Sequence, residues 1–261
     1  MEIKQLEFKA FDGYPLTMNM YRPNNPDGEI RGAMIFFFGG GWTKGSVAHF
    51  RPQATELARL GMIAFTPDYR VFSRHNTAAD TAVLDAIAAT VFITKNAEAL
   101  GIDKNKIAAG GGSAGGHLAA SVAILNDLAK EYSDAEIKIN AMVLFNPVLD
   151  TTERGYQSKP LMLMNRPFED LSPIHHIRPG LPDTLIFHGT ADTVVPFENS
   201  QRFQRLMKEN GNNCELVAYE GKGHGFFNMG PDRGVANYYD TLSRMVGFLL
   251  AKGLWSFKAN E

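Results

Sequence analysis

The chain has 261 residues, 44% hydrophobic and 21% charged, with a formal net charge of −2 at pH 7. That composition can bury a sizeable core and gives no electrostatic basis for binding nucleic acid or an anionic membrane. Cys214 is the single cysteine, so an intrachain disulfide framework is excluded, and the length fits one α/β domain covering the whole chain.

In chain order, the segment Met1 to Phe8 is too polar for a signal peptide, and no apolar run approaches a membrane span. The expected location is the cytoplasm, or the periplasm or exterior if a leader has been removed. Ile3 to Phe11 and Leu16 to Tyr21 alternate in polarity around Asp12-Gly13 and predict an antiparallel hairpin. Arg31 to Phe38 and Met62 to Asp68 are short apolar runs bounded by Gly and Pro, the pattern of buried central strands, and Ala54 to Leu60 suits a helix. Ala78 to Leu100 predicts an Ala-rich helix capped by Gly101. Further strands are expected at Lys106 to Ala109, Ala141 to Phe145, Thr184 to His188 and Cys214 to Tyr219. Helices are expected at Ala114 to Leu128, Phe197 to Asn210 and Ala236 to Ala251. The alternation predicts an α/β fold with a mostly parallel sheet covered on both faces.

The interval Asp150 to Arg178 breaks this rhythm with Pro160, Pro167 and Pro173 and an apolar cluster of Leu161 to Met164 and Phe168. It reads either as a small cap or pocket wall around 151–178, or as a connection whose apolar side chains finish the core.

The strongest functional signal is Gly111-Gly112-Ser113-Ala114-Gly115, between an apolar strand and a helix-forming stretch. A serine on a sharp strand-to-helix turn needs small neighbours two positions before and after it, which Gly111 and Gly115 supply. Such a hydroxyl becomes a nucleophile only if a histidine takes its proton and a carboxylate orients that histidine. Of seven histidines, His224 in Gly223-His224-Gly225 follows the last strand on a glycine-flanked loop. His117 falls one helical turn after Ser113 and His188 ends a strand, both suited to packing; His49, His75, His175 and His176 lie in loops or near prolines. Asp192 follows the strand ending at His188, at the sheet edge shared with Ser113 and His224, whereas Asp183 precedes that strand and Glu198 opens a helix. Cys214 lies within a strand and cannot serve as the nucleophile of a turn. Gly39-Gly40-Gly41-Trp42, after another strand, presents amides without Cβ shielding, and with the amide of Ala114 could hold a developing oxyanion.

These segments, with Pro67-Asp68-Tyr69-Arg70, resemble the α/β-hydrolase serine esterases, close to hormone-sensitive-lipase-like esterases and small bacterial carbohydrate acetyl and feruloyl esterases. The resemblance spans most of the chain and implies a mostly parallel sheet of about eight strands with a small cap. It implies a catalytic set of Ser113, Asp192 and His224, oxyanion amides from Gly40, Gly41 and Ala114, and no metal or organic cofactor. Two positions depart from the family pattern: Phe38 replaces the histidine before the glycines, and Val71-Phe72-Ser73 replaces leucine-alanine-proline after Arg70. The expected substrate is a short acyl ester, acetyl above all, of a carbohydrate or small alcohol, with a feruloyl or lipase-like ester as the alternative. Trp42, Phe168, Phe226 and Phe227 are candidates for the pocket wall, with burial in the core as the plain alternative. Oligomeric state has no signature. Two readings of other classes compete: a dinucleotide-binding loop, since Gly110, Gly112 and Gly115 fit that spacing although the acids that follow, Asp127 and Glu131, lie in or just after a helix, and an inactive hydrolase-fold binding protein. A dienelactone-hydrolase or peptidase-like activity competes within the class.

Overall fold

Alternate residues of each central strand enter different cores. In the computed structural model, which describes residues 1–11, 14–24, 29–134, 136–230 and 235–255, β1 (Glu2–Phe11) and β2 (Tyr14–Arg22) form the expected hairpin. Its turn, Asp12 and Gly13, lies outside the described residues. There follow β3 (Arg31–Phe37), α1 (Arg51–Arg59), β4 (Ile63–Pro67), α2 (Phe72–His75), α3 (Ala79–Lys95), β5 (Ile102–Gly112), α4 (Ala114–Ile124), α5 (Asn126–Tyr132) and β6 (Ala141–Phe145). Then come α6 (Lys159–Met162), two 3-10 turns at Phe168–Leu171 and Pro173–His176, β7 (Asp183–Gly189), α7 (Phe197–Glu209), β8 (Cys214–Tyr219) and α8 (Ala236–Ala251). On β3, Ala33, Ile35 and Phe37 pack with side chains of α3 and α4, while Met34 and Phe36 pack on the opposite face with α1 and α8. The same alternation divides β6, with Met142 and Leu144 on the first face and Val143 and Phe145 on the second.

The sheet has eight strands in the order β1-β2-β4-β3-β5-β6-β7-β8. β2 runs antiparallel to both its neighbours, and the pairs from β4 and β3 onward are parallel. From β3 the chain first winds to one side, into β4, and then to the other, into β5. The carboxyl ends of β3 and β5 therefore lie at a switch point, where open α/β sheets form their crevice. Phe37, the last residue of β3, is in register with Gly111 near the end of β5.

Three expected boundaries are corrected. The long helix stops at Lys95, where Asn96 Nδ2 donates to the Phe92 carbonyl at 2.8 Å, and Gly101 (φ +70°) closes a separate turn instead of capping that helix. The helix begun at Ala114 breaks at Leu125, whose ψ of 64° leaves the helical region, and resumes as α5. β5 starts at Ile102, which pairs with Arg31 before a register irregularity.

One buried ion cluster ties the loop after β4 to α3. Asp85, fully buried, accepts from Arg70 Nε and Nη2 at 2.7 Å each, from the Arg70 amide at 3.0 Å and from Lys9 Nζ at 2.9 Å. Two carboxylate oxygens so occupied offset the cost of burying the charge. Among the described residues no helix is long and apolar enough to cross a membrane.

Candidate active site

Ser113 stands alone between β5 and α4 with φ 56° and ψ −122°, a conformation that costs a non-glycine residue roughly 1–3 kcal/mol and persists only when its surroundings hold it. The backbone around it is pinned. Its amide donates to the Phe145 carbonyl at 2.9 Å, and its carbonyl accepts from the amides of His117 at 3.1 Å and Val148 at 3.2 Å. The two flanking glycines are required by space: a Cβ on Gly115 would lie 2.1 Å from the Phe37 carbonyl oxygen, and one on Gly111 would lie 2.4 Å from that of Gly115.

Asp192 follows β7 in a turn that saturates its carboxylate. Oδ1 accepts from the amides of Val194 and Val195 at 2.9 and 3.0 Å, and Oδ2 accepts from His224 Nδ1 at 2.8 Å. Burial opposes ionisation of this carboxyl, but hydrogen bonds from His188, His224 and the two valine amides outweigh it and hold its pKa far below the usual carboxylate range. His188 is the contributor that sequence reasoning assigned only to packing. Its Nε2 lies 3.2 Å from Asp192 Oδ2 and 3.0 Å from the Val195 carbonyl, while Nδ1 is 2.7 Å from the Ser200 hydroxyl. Accepting from Ser200 leaves the proton on Nε2, where it is shared between the Val195 carbonyl and Asp192.

With Nδ1 donating to Asp192, a neutral His224 presents a lone pair on Nε2, the form a general base requires. Nε2 faces Asn146 Nδ2 at 3.5 Å, and among the described residues no hydrogen bond joins it to Ser113 Oγ. Ser113 and His224 nevertheless line one cavity of about 710 Å³. Asn146, just past β6, adopts φ 35° and accepts the Gly225 amide on Oδ1 at 3.1 Å, which fixes the loop carrying His224. The only sequence signal for it was an asparagine ending an apolar strand, a residue type that tolerates positive φ.

Gly39, Gly40 and Gly41 line the same cavity. Gly40 (φ 131°) and Gly41 (φ 62°) form a tight turn whose Gly40 carbonyl accepts the amides of Thr43 and Lys44. Among the described residues, nothing accepts from the amides of Gly40, Gly41 or Ala114, which leaves three donors available near Ser113. Phe38 stacks on Tyr69 with centroids 3.9 Å apart, and the Tyr69 hydroxyl donates to the Phe38 carbonyl at 2.7 Å.

The expected aromatic wall is largely corrected. Trp42, at φ 54°, is buried in one core, edge-on to His117. Phe226 is buried in the other core against Tyr219. Phe168 packs on the core beside a separate groove with Arg154, His175 and Arg202. Of the four, only Phe227 lines the Ser113 cavity. Its other walls include Thr43, Lys44, His49, Tyr156, Val194 and Asn228. Tyr156 comes from the irregular interval, and its hydroxyl sits 2.6 Å from where a Gly41 Cβ would be. From that interval Tyr156 lines the cavity, while Leu161 lies in the core and Phe168 packs against it.

The sequence matches the BD-FAE family over residues 18–207 and the dienelactone hydrolase family over residues 171–250. Isoprenylcysteine alpha-carbonyl methylesterase of Arabidopsis thaliana is 32% identical over 230 residues, covering 79% of this chain and 53% of its own length. Ethyl acetate hydrolase of Pseudomonas putida is 33% identical over 156 residues, covering 58% of this chain and 46% of its own. The chain thus spans about half the length of the curated relatives it matches. Among solved structures, apo esterase 2 of Thermogutta terrifontis superposes with a TM-score of 0.90 at 44% identity, covering 98% of this chain and 96% of that one. The same esterase has been captured with propionate and butyrate, and phosphorylated by paraoxon. A serine elbow at the switch point of this sheet, together with matches that run through most of the chain, makes it a member of the BD-FAE family of α/β-hydrolase serine esterases.

Proposed function

We propose that the chain is a serine carboxylesterase acting on short acyl esters, an acetyl esterase of carbohydrate or small-alcohol esters. Ser113 is the nucleophile, His224 the general base, Asp192 the orienting carboxylate, and the amides of Gly40, Gly41 and Ala114 the oxyanion hole. One observation carries this reading: a conformationally strained serine shares a cavity with a histidine already oriented by an ionised aspartate.

In the reaction, His224 Nε2 takes the Ser113 proton as Oγ bonds to the acyl carbon. The carbonyl electron pair moves onto oxygen, where each amide donor lowers the barrier by about 3 kcal/mol. His224 then protonates the departing alcohol oxygen, and a water deprotonated by the same ring releases the acid from the acyl-serine. For the first step Ser113 Oγ replaces Asn146 Nδ2 at His224 Nε2, a tightening typical of the passage from apo enzyme to substrate complex.

The acyl and alcohol preferences follow from the walls. Val194 and Phe227 are the bulky apolar side chains there, against Thr43, Lys44, Asn146, Tyr156 and Asn228, a lining suited to a hydroxylated alcohol and a small acyl group. The propionate and butyrate complexes of the Thermogutta esterase, and the name of the Pseudomonas relative, support a short acyl chain.

The test pairs p-nitrophenyl acetate with longer acyl esters and acetylated xylan fragments, for the wild type and Ser113→Ala. The expected loss of turnover in the variant is about four to six powers of ten. Paraoxon should inactivate the wild type stoichiometrically by phosphorylating Ser113, read as a mass increase on that peptide. An active Ser113→Ala enzyme, or phosphorylation elsewhere, overturns the assignment.

A further inference from the structure

Catalysis of this kind requires the oxyanion glycines and the His224 loop to keep a fixed distance, although they leave different strands, β3 and β8. A chain of hydrogen bonds joins them. His49, in the turn before α1, accepts the Gly39 amide on Nδ1 at 3.0 Å, and its Nε2 lies 2.8 Å from Asn228 Oδ1. Asn228 Nδ2 and the Asn228 amide both donate to the Gly225 carbonyl at 3.1 Å. Since the Gly39 amide is a donor, Nδ1 must carry a lone pair, so the neutral ring has its proton on Nε2 and donates it to Asn228 Oδ1. That choice fixes the Asn228 amide with Nδ2 toward Gly225, which makes the relay consistent from end to end. Tilted contacts with the rings of Phe50 and Phe227, with centroids 4.8 and 5.9 Å away, restrain the plane of the ring. Phe38, engaged with Tyr69, offers the glycine loop no side-chain hydrogen bond.

We infer that His49 is a positioning residue for the esterase reaction: through Gly39 on one side and Asn228 on the other, its neutral ring sets the register between the oxyanion amides and His224. The inference rests on the function proposed above. His49 touches no reacting atom, and a phenylalanine in its place leaves a ring of similar size in the cavity wall, so its loss should lower kcat more than it raises KM.

His49→Phe keeps an aromatic ring in contact with Phe50 and Phe227 but removes both hydrogen bonds; His49→Gln restores an acceptor for Gly39 and a donor for Asn228. For p-nitrophenyl acetate, His49→Phe should lower kcat about 10- to 100-fold, the scale set by a displacement of up to about 1 Å between catalytic groups. KM should stay within about threefold, and His49→Gln should recover most of the lost kcat. Asn228→Leu cuts the relay at its other end. It should show the same kcat defect, and combining it with His49→Phe should add little, since both remove one linkage. Ser113→Ala runs alongside: its activity tests the esterase reading, whereas the His49 series tests only the relay. A folded His49→Phe enzyme with wild-type kcat, a defect confined to KM, or a His49→Gln variant as impaired as His49→Phe overturns the inference. If His49→Phe fails to fold, a wild-type kcat in Asn228→Leu overturns it equally.

Discussion

His117 links the helix that follows Ser113 to the irregular interval beside the site, and its titration should make that link sensitive to acid. The ring is fully buried, its Nε2 donates to the Leu171 carbonyl at 2.6 Å, and Nδ1 has no hydrogen-bond partner among the described residues. Burial pushes the pKa from 6.5 down to about 4, against the opposing pull of the Leu171 carbonyl. At about 1.4 kcal/mol per tenfold change, this makes protonation about 3 kcal/mol harder in the folded protein. The contribution to stability is complete above 6.5, where the histidine is neutral in both states. It is lost as the pH falls toward about 4, because the unfolded chain takes up a proton that the folded chain refuses. Urea unfolding followed by tryptophan fluorescence, to which Trp42, edge-on to this ring with centroids 5.0 Å apart, contributes beside Trp255, reads the change. Carboxylates also titrate in this range, so the comparison is with His117→Gln, whose amide can still donate to Leu171 but takes up no proton. The difference in stability between the two proteins should shift by about 3 kcal/mol in favour of the variant between about pH 7.5 and pH 4. A difference that stays flat with pH would refute the argument that a neutral, desolvated His117 is built into the fold.

Three further outcomes are expected. Asp192→Asn should lower kcat for p-nitrophenyl acetate by about 10⁴-fold with the fold retained in circular dichroism, because an amide can donate to His224 Nδ1 and favour the wrong tautomer. Gly115→Ala should destabilise the protein by about 3 kcal/mol in urea unfolding, the upper end for overpacking, since the added carbon meets the Phe37 backbone 2.1 Å away and neither element can retreat cheaply. Asp85→Leu should cost about 3–5 kcal/mol by the same measurement, as it strands the Arg70 guanidinium, which is only 7% exposed, without its two-point partner.

The parts of the molecule readable from its sequence are those in which local chemistry and global position coincide. β6, β8 and α8 fall on the expected boundaries because their apolar periodicity ends in abrupt polar or glycine-rich turns. Ser113, Asp192 and His224 could be singled out for the same reason: each follows an apolar strand in a glycine-bearing loop, so a parallel sheet brings them to one edge. Side-chain direction inside loops was not readable. Trp42, beside the glycines, could be read either as a pocket residue or as core; it is core, and Tyr156 from a distant segment lines the cavity wall.

The same limit applies to the residues that hold the candidate catalytic groups in place. His49 meets Asn228 across 179 positions of chain and Asn146 meets Gly225 across 79, contacts without a periodicity to betray them. These two bridges clamp the peptide groups on either side of one residue: Asn146 accepts the Gly225 amide, and Asn228 donates to the Gly225 carbonyl. Gly225 itself is in the positive-φ region at 74°, so a side chain there would disturb the clamp through the backbone alone. The ring of His224 is therefore fixed by Asp192 through its Nδ1 and by these two asparagines through its chain.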